Sequence, residues 1–221
     1  ALQPLTENNI SKSFIRAQYN DGQISGAIKP GYLNEEGARS KSKTETFVAI
    51  KAEIANWRWS GTPFYIRTGK RMAGKATNIV IHFKSDAHFI FDQDQKSSTG
   101  NSLIISLHPT EGISLQVLTK RHGVNEGMRL RSDPMSLDFI KSQKLLKIPS
   151  GYQRLLLDIL LGNQSLFLCK EEIELAWEWC DNAYKIWQKS LQPLYSYPAG
   201  SNGPNESKVL LQQNGHNWHD E

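Results

Sequence analysis

Arg67, Lys70, Arg71 and Lys75 crowd the end of the stretch PFYIRTGKRMAGK, residues 63–75, behind a short apolar run. Cations gathered after a strand, with Gly69 and Gly74 between them, suit two roles. One is a solvated connection between strands; the other is a loop shaped to hold an anion. Lys70 and Lys75 stand five residues apart. On an α-helix their side chains would point about 140° away from each other, from 3.6 residues per turn. On an extended strand their Cα atoms would lie roughly 16 Å apart. A turn at residues 72–74 would instead bring both ammonium groups to one side of a pocket, with Gly74 free to take the backbone angles required. Two lysines converging on one anion add charge-assisted hydrogen bonds. Spacing alone leaves both roles open.

The same residues nearly spell a phosphate loop. GKRMAGKA, residues 69–76, matches G-x-x-x-x-G-K but has Ala76 where a hydroxyl would ligate Mg²⁺. The following TNIVIHF is rich in β-branched residues and reads as a strand, whereas a phosphate loop opens a helix. The nucleotide reading is set aside. His82, His88, His108, His122, His216 and His219 are scattered, and HNWH at 216–219 has no third ligand near it, so no metal site is assigned. Neither G-x-S-x-G nor G-x-G-x-x-G occurs. The basic residues are dispersed without aromatic interleaving, which argues against a nucleic-acid groove.

The elements that must position the lysines come first as strands. Residues 13–19, 44–57, 63–67, 77–84, 102–108 and 113–120 read as strands. In 44–57, Val48, Ile50, Ala52 and Ile54 form one apolar face, as in a strand half exposed to water. Ile79, Ile81 and Phe83 share a side of the 77–84 strand. Residues 20–32 read as a loop. Residues 127–140 offer two short strands, with Pro134 limiting the pairing. After Pro149 the pattern turns helical, first up to Gly162 and then over 170–191. There Ile173, Trp177, Cys180, Tyr184, Trp187 and Leu191 form an apolar stripe expected to pack on a sheet. The last thirty residues read as irregular. Strands followed by a helical pair predict an α+β fold: a large, mainly antiparallel β-sheet with helices packed on one face. No internal repeat or clear boundary is legible.

Composition bounds the function. A net charge of +4 over 221 residues allows an anionic ligand without demanding nucleic acid. Cys169 and Cys180 are too sparse for a disulfide framework and point to a reducing compartment; their apolar neighbours predict buried thiols. No apolar run approaches the roughly 18 residues of a membrane span. The start, ALQPLTENN, lacks a basic-then-apolar leader and an initiator Met, and reads as the start of a cut piece.

Longer motifs carry a resemblance. NWRWSGTPFYIRTGKRMAGKATNIVIHFK resembles the C-terminal domain of the glucose-6-phosphate dehydrogenase family: N-x-R-W-x-G-V-P-F, then L-R-T-G-K, then a basic residue five beyond that Lys. IRAQYNDG, GYLNEEGARSKSKTETFVAI, LHPTEGISLQVLTK, YQRLLLDILLGNQSLF and PAGSNGP are similar to further family segments in the same order.

The resemblance implies an enzyme that oxidises glucose 6-phosphate at C1 to 6-phosphogluconolactone and passes the hydride to NADP⁺, the first step of the pentose phosphate pathway. In the family an N-terminal Rossmann domain holds the coenzyme, and a His–Asp pair acts as general base. Both lie upstream of the matched region, and neither motif occurs here. Residues 1–221 are thus expected to be a single C-terminal, substrate-side and dimer-forming domain, inactive alone. No catalytic, cofactor-binding or metal residue is assigned within it. Lys70 and Lys75 are implied to bind the sugar phosphate, with Arg67 structural. His108 stands where the family usually has Gln before Pro. Asn202 replaces an Arg that some eukaryotic members use for a second, structural NADP⁺, so a bacterial-type, cytoplasmic enzyme is expected. It would be a homodimer through its sheet, with no nucleic-acid or membrane partner. A stand-alone oligomerisation module without catalysis is the alternative.

Overall fold

The computed structural model describes residues 2–4, 6, 10–84, 100–120, 130–138, 151–190 and 192–219. His88, His122 and Leu191 lie outside them, as do parts of the expected strands in 127–140. In chain order the elements are α1 (Ile10–Ser13), β1 (Phe14–Asn20), β2 (Gly22–Ile24), β3 (Ala27–Lys29), a 3-10 turn (Tyr32–Asn34), β4 (Phe47–Glu53) and β5 (Pro63–Gly69). Then come β6 (Thr77–His82), β7 (Ser102–His108), β8 (Gly112–Lys120) and β9 (Leu130–Asp138). Last are α2 (Gly151–Leu160), α3 (Lys170–Lys189), β10 (Tyr195–Pro198) and α4 (Asn205–Gln212). The α+β, mainly antiparallel class read from the sequence is the class observed. The strands divide between two compact units, residues 1–74 with 151–221, and residues 75–150.

The first unit holds a four-stranded sheet in the order β10-β1-β4-β5. β1 and β4 pair antiparallel, β4 and β5 likewise, and β10 joins β1 in parallel, with Tyr19 opposite Tyr197. Alternation along β1 and β4 feeds two cores. Ile15, Ala17, Tyr19, Phe47 and Ala49 gather with Tyr197, Leu210 and Leu211. Phe14 packs with Ile10, Ala183 and Trp187, and Val48 and Ile50 lie against that second cluster. β4 is therefore covered on both sides rather than half exposed to water. The second cover is α4, whose Leu210 and Leu211 belong to the Phe47 cluster. Burying a ring such as Phe47 stabilises the fold by roughly 1.5–3 kcal/mol.

Four other expectations are corrected. Residues 20–32 contain the β2–β3 hairpin, turned by Ser25 (φ 49°) and Gly26 (φ 83°), the left-handed pair a tight hairpin needs. The last thirty residues are not irregular: β10 completes the sheet and α4 starts after Pro204. The packed face of α3 is Trp179, Ala183, Ile186 and Trp187, so among the described residues the expected stripe is buried only at Trp187; Trp177 stays 66% exposed. Small Ala183 lets the helix approach Ile10 and Phe14, which a count of large apolar residues does not reveal. Cys169 and Cys180 are exposed, not buried: Cys180 lies off that packed face and Cys169 sits at the N-cap, before the helix.

In the second unit the order is β6-β7-β8-β9, all antiparallel. β9 is one strand running through Pro134 instead of two short ones. As the edge strand, it has one ladder, and a residue without an N–H is tolerated there. Register builds two apolar rows across one face: Ile79–Ile105–Ile113–Leu137 and Ile81–Leu103–Leu115–Met135. At the edge this face is open, with Leu137 54% and Met135 66% exposed. Its reverse carries Asn78, Ser106, Ser114 and Ser136 beside Val80 and the buried Ile104. Among the described residues no helix is long and apolar enough to cross a membrane.

Candidate functional site

β4 and β5 run in register from Phe47 opposite Gly69 to Glu53 opposite Pro63. The ladder extends one step further: the Lys70 N–H donates to the Thr46 carbonyl at 2.8 Å. Lys70 is thus the residue at which the chain leaves the sheet. The departure is sharp because the next residue, Arg71, takes a left-handed backbone, φ 51°. That conformation is uncommon outside Gly and Asn and costs on the order of 1–2 kcal/mol. The structure opposes the strain with two anchors. The Arg71 carbonyl accepts the Gly200 N–H at 2.7 Å, and the Ala73 N–H donates to the Ser201 carbonyl at 3.0 Å.

The turn was expected at residues 72–74 with Gly74 supplying the unusual angles. The left-handed residue is Arg71 instead, and Gly74 is not among the positive-φ glycines. Gly69 is the glycine the turn requires: a Cβ there would stand 2.5 Å from Met72 Sδ and 2.8 Å from the Phe47 ring.

The charges divide the labour. The Arg71 guanidinium meets Glu35 Oε1 through Nη2 at 2.7 Å and Nε at 3.2 Å, and the Tyr19 hydroxyl donates to the same oxygen at 3.1 Å. These bonds, Arg71 first, hold the Glu35 carboxyl below the usual carboxylate range, and Glu35 in turn pushes the Arg71 guanidinium up. An open hollow beside the pair includes Tyr32 and Glu36 in its wall. With Glu35 neutralising Arg71 and Glu36 adjacent, that hollow does not attract an anion. Arg67 is also occupied: its guanidinium lies 4.7 Å from the Trp218 ring centroid and donates to the His219 carbonyl at 3.3 Å. These contacts hold it against the C-terminal segment. His216 packs at a tilt against Tyr65, 5.6 Å between ring centroids. Lys70 is exposed and, among the described residues, carries no ion pair. Of the turn's cations in the first unit, it is the one without a charged or ring partner among the described residues.

Lys75 belongs to the second unit and is exposed there. It precedes β6 by two residues. Thr77 pairs with His108 at the end of β7, and a bulge follows because Asn78 pairs with Ser106. Within its own unit Lys75 therefore approaches the strand end that carries His108. Asn202 is half-buried in the loop before α4.

Sequence reasoning missed the groups that fix the Lys70 turn: Tyr19, Glu35, Thr46 and Tyr197. Buried Tyr197 reaches the Lys70 carbonyl with its hydroxyl at 2.7 Å, across 127 residues of sequence. Tyr19, Glu35 and Thr46 lay in segments that carried the resemblance and Tyr197 one residue before another, in a stretch read as irregular; only the fold brings them together.

Comparison with known proteins agrees with this architecture. The family model "Glucose-6-phosphate dehydrogenase, C-terminal domain" matches residues 1–219. Glucose-6-phosphate 1-dehydrogenase of Rhizobium meliloti (strain 1021) is 45% identical over the whole chain, which covers 44% of that relative. The same-named protein of Dickeya dadantii (strain 3937) is 38% identical over the whole chain, covering 45% of it. A solved structure, "Glucose-6-phosphate dehydrogenase in complex with its substrate glucose-6-phosphate", superposes with a TM-score of 0.83 at 28% identity, over all of this chain and 43% of its own. The chain thus spans less than half the length of these relatives. On the family match and these identities, the chain belongs to the glucose-6-phosphate dehydrogenase C-terminal domain family.

Proposed function

We propose that residues 1–221 are the substrate-side and dimer-forming part of a longer enzyme that oxidises glucose 6-phosphate to 6-phosphogluconolactone. In that reaction the C1–H bond breaks, with its electron pair leaving as hydride to the nicotinamide of NADP⁺. The C1 hydroxyl proton goes to a general base, and the C1–O bond becomes a carbonyl. The coenzyme fold and the base belong to another part of the polypeptide. Within this chain, Lys70 and Lys75 bind the phosphate through their ammonium groups, and the chain alone does not reduce NADP⁺. The enzyme works in the cytoplasm.

The observation that carries this reading is the Lys70 turn. In a member of this family, a lysine whose ammonium has no ion pair among the described residues is held on a strained, multiply anchored exit from the sheet. Its basic neighbours Arg67 and Arg71 are already committed to other groups. Strained backbone clusters at sites where a side chain must be positioned, which supports this reading of the turn. A relative solved with glucose 6-phosphate supports the choice of anion. The dimer is proposed through the apolar rows of the second sheet, which a second copy of the chain would cover.

The test is steady-state kinetics of the complete enzyme. Lys70→Ala and Lys75→Ala should each raise KM for glucose 6-phosphate by about tenfold or more, as for loss of a charge-assisted bond. KM for the coenzyme should stay within about twofold. Unchanged sugar-phosphate kinetics in both variants would refute the assignment.

A further inference from the structure

We infer that Tyr197 is a positioning residue for the phosphate-binding lysine: its buried hydroxyl fixes the peptide that joins Lys70 to Arg71 and so sets the direction of the Lys70 side chain. The inference rests on the reading of Lys70 as a phosphate ligand.

The argument begins with the Lys70 carbonyl. The N–H of Lys70 is satisfied by the sheet, through the Thr46 carbonyl. Its carbonyl has left the ladder, and a backbone acceptor that loses its strand partner must find another. Tyr197 supplies it. The ring is 1% exposed and wedged among Phe47 and Tyr19, with centroids 5.5 and 6.3 Å away. The hydroxyl stands 2.7 Å from the Lys70 carbonyl, 3.1 Å from the Thr46 carbonyl and 3.1 Å from Thr46 Oγ1.

A phenol has one proton to give. The shortest contact assigns it to the Lys70 carbonyl, which leaves Thr46 Oγ1 as donor to the Tyr197 oxygen. Thr46 Oγ1 can accept as well, and it does so from the Tyr19 N–H at 3.0 Å. The bonds then run one way: Tyr19 N–H to Thr46 hydroxyl, to Tyr197 hydroxyl, to Lys70 carbonyl. Burial raises the Tyr197 phenol above its ordinary range, so the donor keeps its proton.

The carbonyl so held is the one immediately before left-handed Arg71. Rotation of the Lys70–Arg71 peptide is the motion that would relieve the strain at Arg71. With the Lys70 N–H held by Thr46, a pure flip of this peptide leaves Cβ in place, but a carbonyl released from Tyr197 also frees the residue-70 backbone to leave the sheet end, and that displacement moves the Lys70 Cα–Cβ vector. The Tyr197 bond opposes that rotation from the buried side, while Gly200 holds the Arg71 carbonyl just beyond it. Removing the hydroxyl alone, in Tyr197→Phe, keeps the packed ring and frees the peptide.

The experiment uses the complete enzyme and compares wild type, Lys70→Ala, Tyr197→Phe and the double variant. It measures KM for glucose 6-phosphate, KM for the coenzyme, and kcat/KM with glucose, which lacks the phosphate. Tyr197→Phe should raise KM for glucose 6-phosphate roughly three- to tenfold. KM for the coenzyme and kcat/KM for glucose should be unchanged. Adding Tyr197→Phe to Lys70→Ala should cost nothing further, because the group being aimed is already gone. If Tyr197→Phe does not fold, Thr46→Val, which removes the donor to Tyr197, should raise the same KM in the same selective way. Equal losses with glucose and with glucose 6-phosphate would mean a general structural role and overturn the inference. So would a folded Tyr197→Phe with wild-type kinetics beside a damaged Lys70→Ala, while leaving Lys70 as ligand intact. Wild-type kinetics in Lys70→Ala would remove the reading and this inference together.

Discussion

Arg71 Nη2 lies 2.7 Å from Glu35 Oε1, and Arg71 is also the residue whose backbone turns left-handed directly after Lys70. One residue thus carries the strain of the turn and an electrostatic tether against it. The pairing has a second effect: it removes Arg71 from competition for an anion, while Lys70 carries no ion pair among the described residues.

The tether predicts an acid response. Glu35 is held below its ordinary value, first by the Arg71 guanidinium and then by the Tyr19 hydroxyl. A depressed carboxyl stabilises the fold fully above its unfolded pKa, about 4.3, and loses that contribution as pH falls through the folded value. The thermal midpoint should therefore fall more steeply between about pH 5 and pH 3 in wild type than in Glu35→Gln. Parallel pH profiles for the two proteins would show that the pair contributes nothing.

Gly200 should tolerate no side chain. Its φ is +86°, and a Cβ would stand 1.9 Å from the Gln23 carbonyl oxygen. Backbone cannot yield as a flexible side chain can. Gly200→Ala should destabilise the protein by about 2–4 kcal/mol and loosen the bond to the Arg71 carbonyl. Gly69→Ala meets movable Met72 as well as Phe47 and should cost less, about 1–2 kcal/mol. Thermal denaturation of the two variants checks the order; a Gly200→Ala protein as stable as wild type contradicts the close approach.

The apolar rows predict an association surface. Ile81→Glu and Leu115→Glu lie on the same row and face. In the complete enzyme either should shift light-scattering mass from dimer toward monomer. Ser114→Glu, on the reverse face, should not. Unchanged mass in both row variants would place the interface elsewhere.

The strands were legible because their signals are local. Alternation in residues 77–84 located Ile79 and Ile81 on one side, and the register shows that side continuing across four strands. The Lys70 motif was legible for the same reason. What was hidden depends on distant partners. β10 is four residues long, and its strand character comes from parallel pairing with β1, near the other end of the chain. Arg71 takes the turn's left-handed position because Gly200 and Glu35 hold it there, whereas propensity pointed to Gly74. The exposure of Cys180 follows from which face of α3 meets α1, a choice made by small Ala183 and not by the larger apolar residues.

The central claim is that Lys70 and Lys75 bind the phosphate of glucose 6-phosphate. Isothermal titration of the complete enzyme with glucose 6-phosphate, without coenzyme, tests it most directly. The Lys70→Ala/Lys75→Ala protein should bind at least about 100-fold more weakly than wild type, as expected for two lost charge-assisted bonds. A dissociation constant within about twofold of wild type would contradict the account.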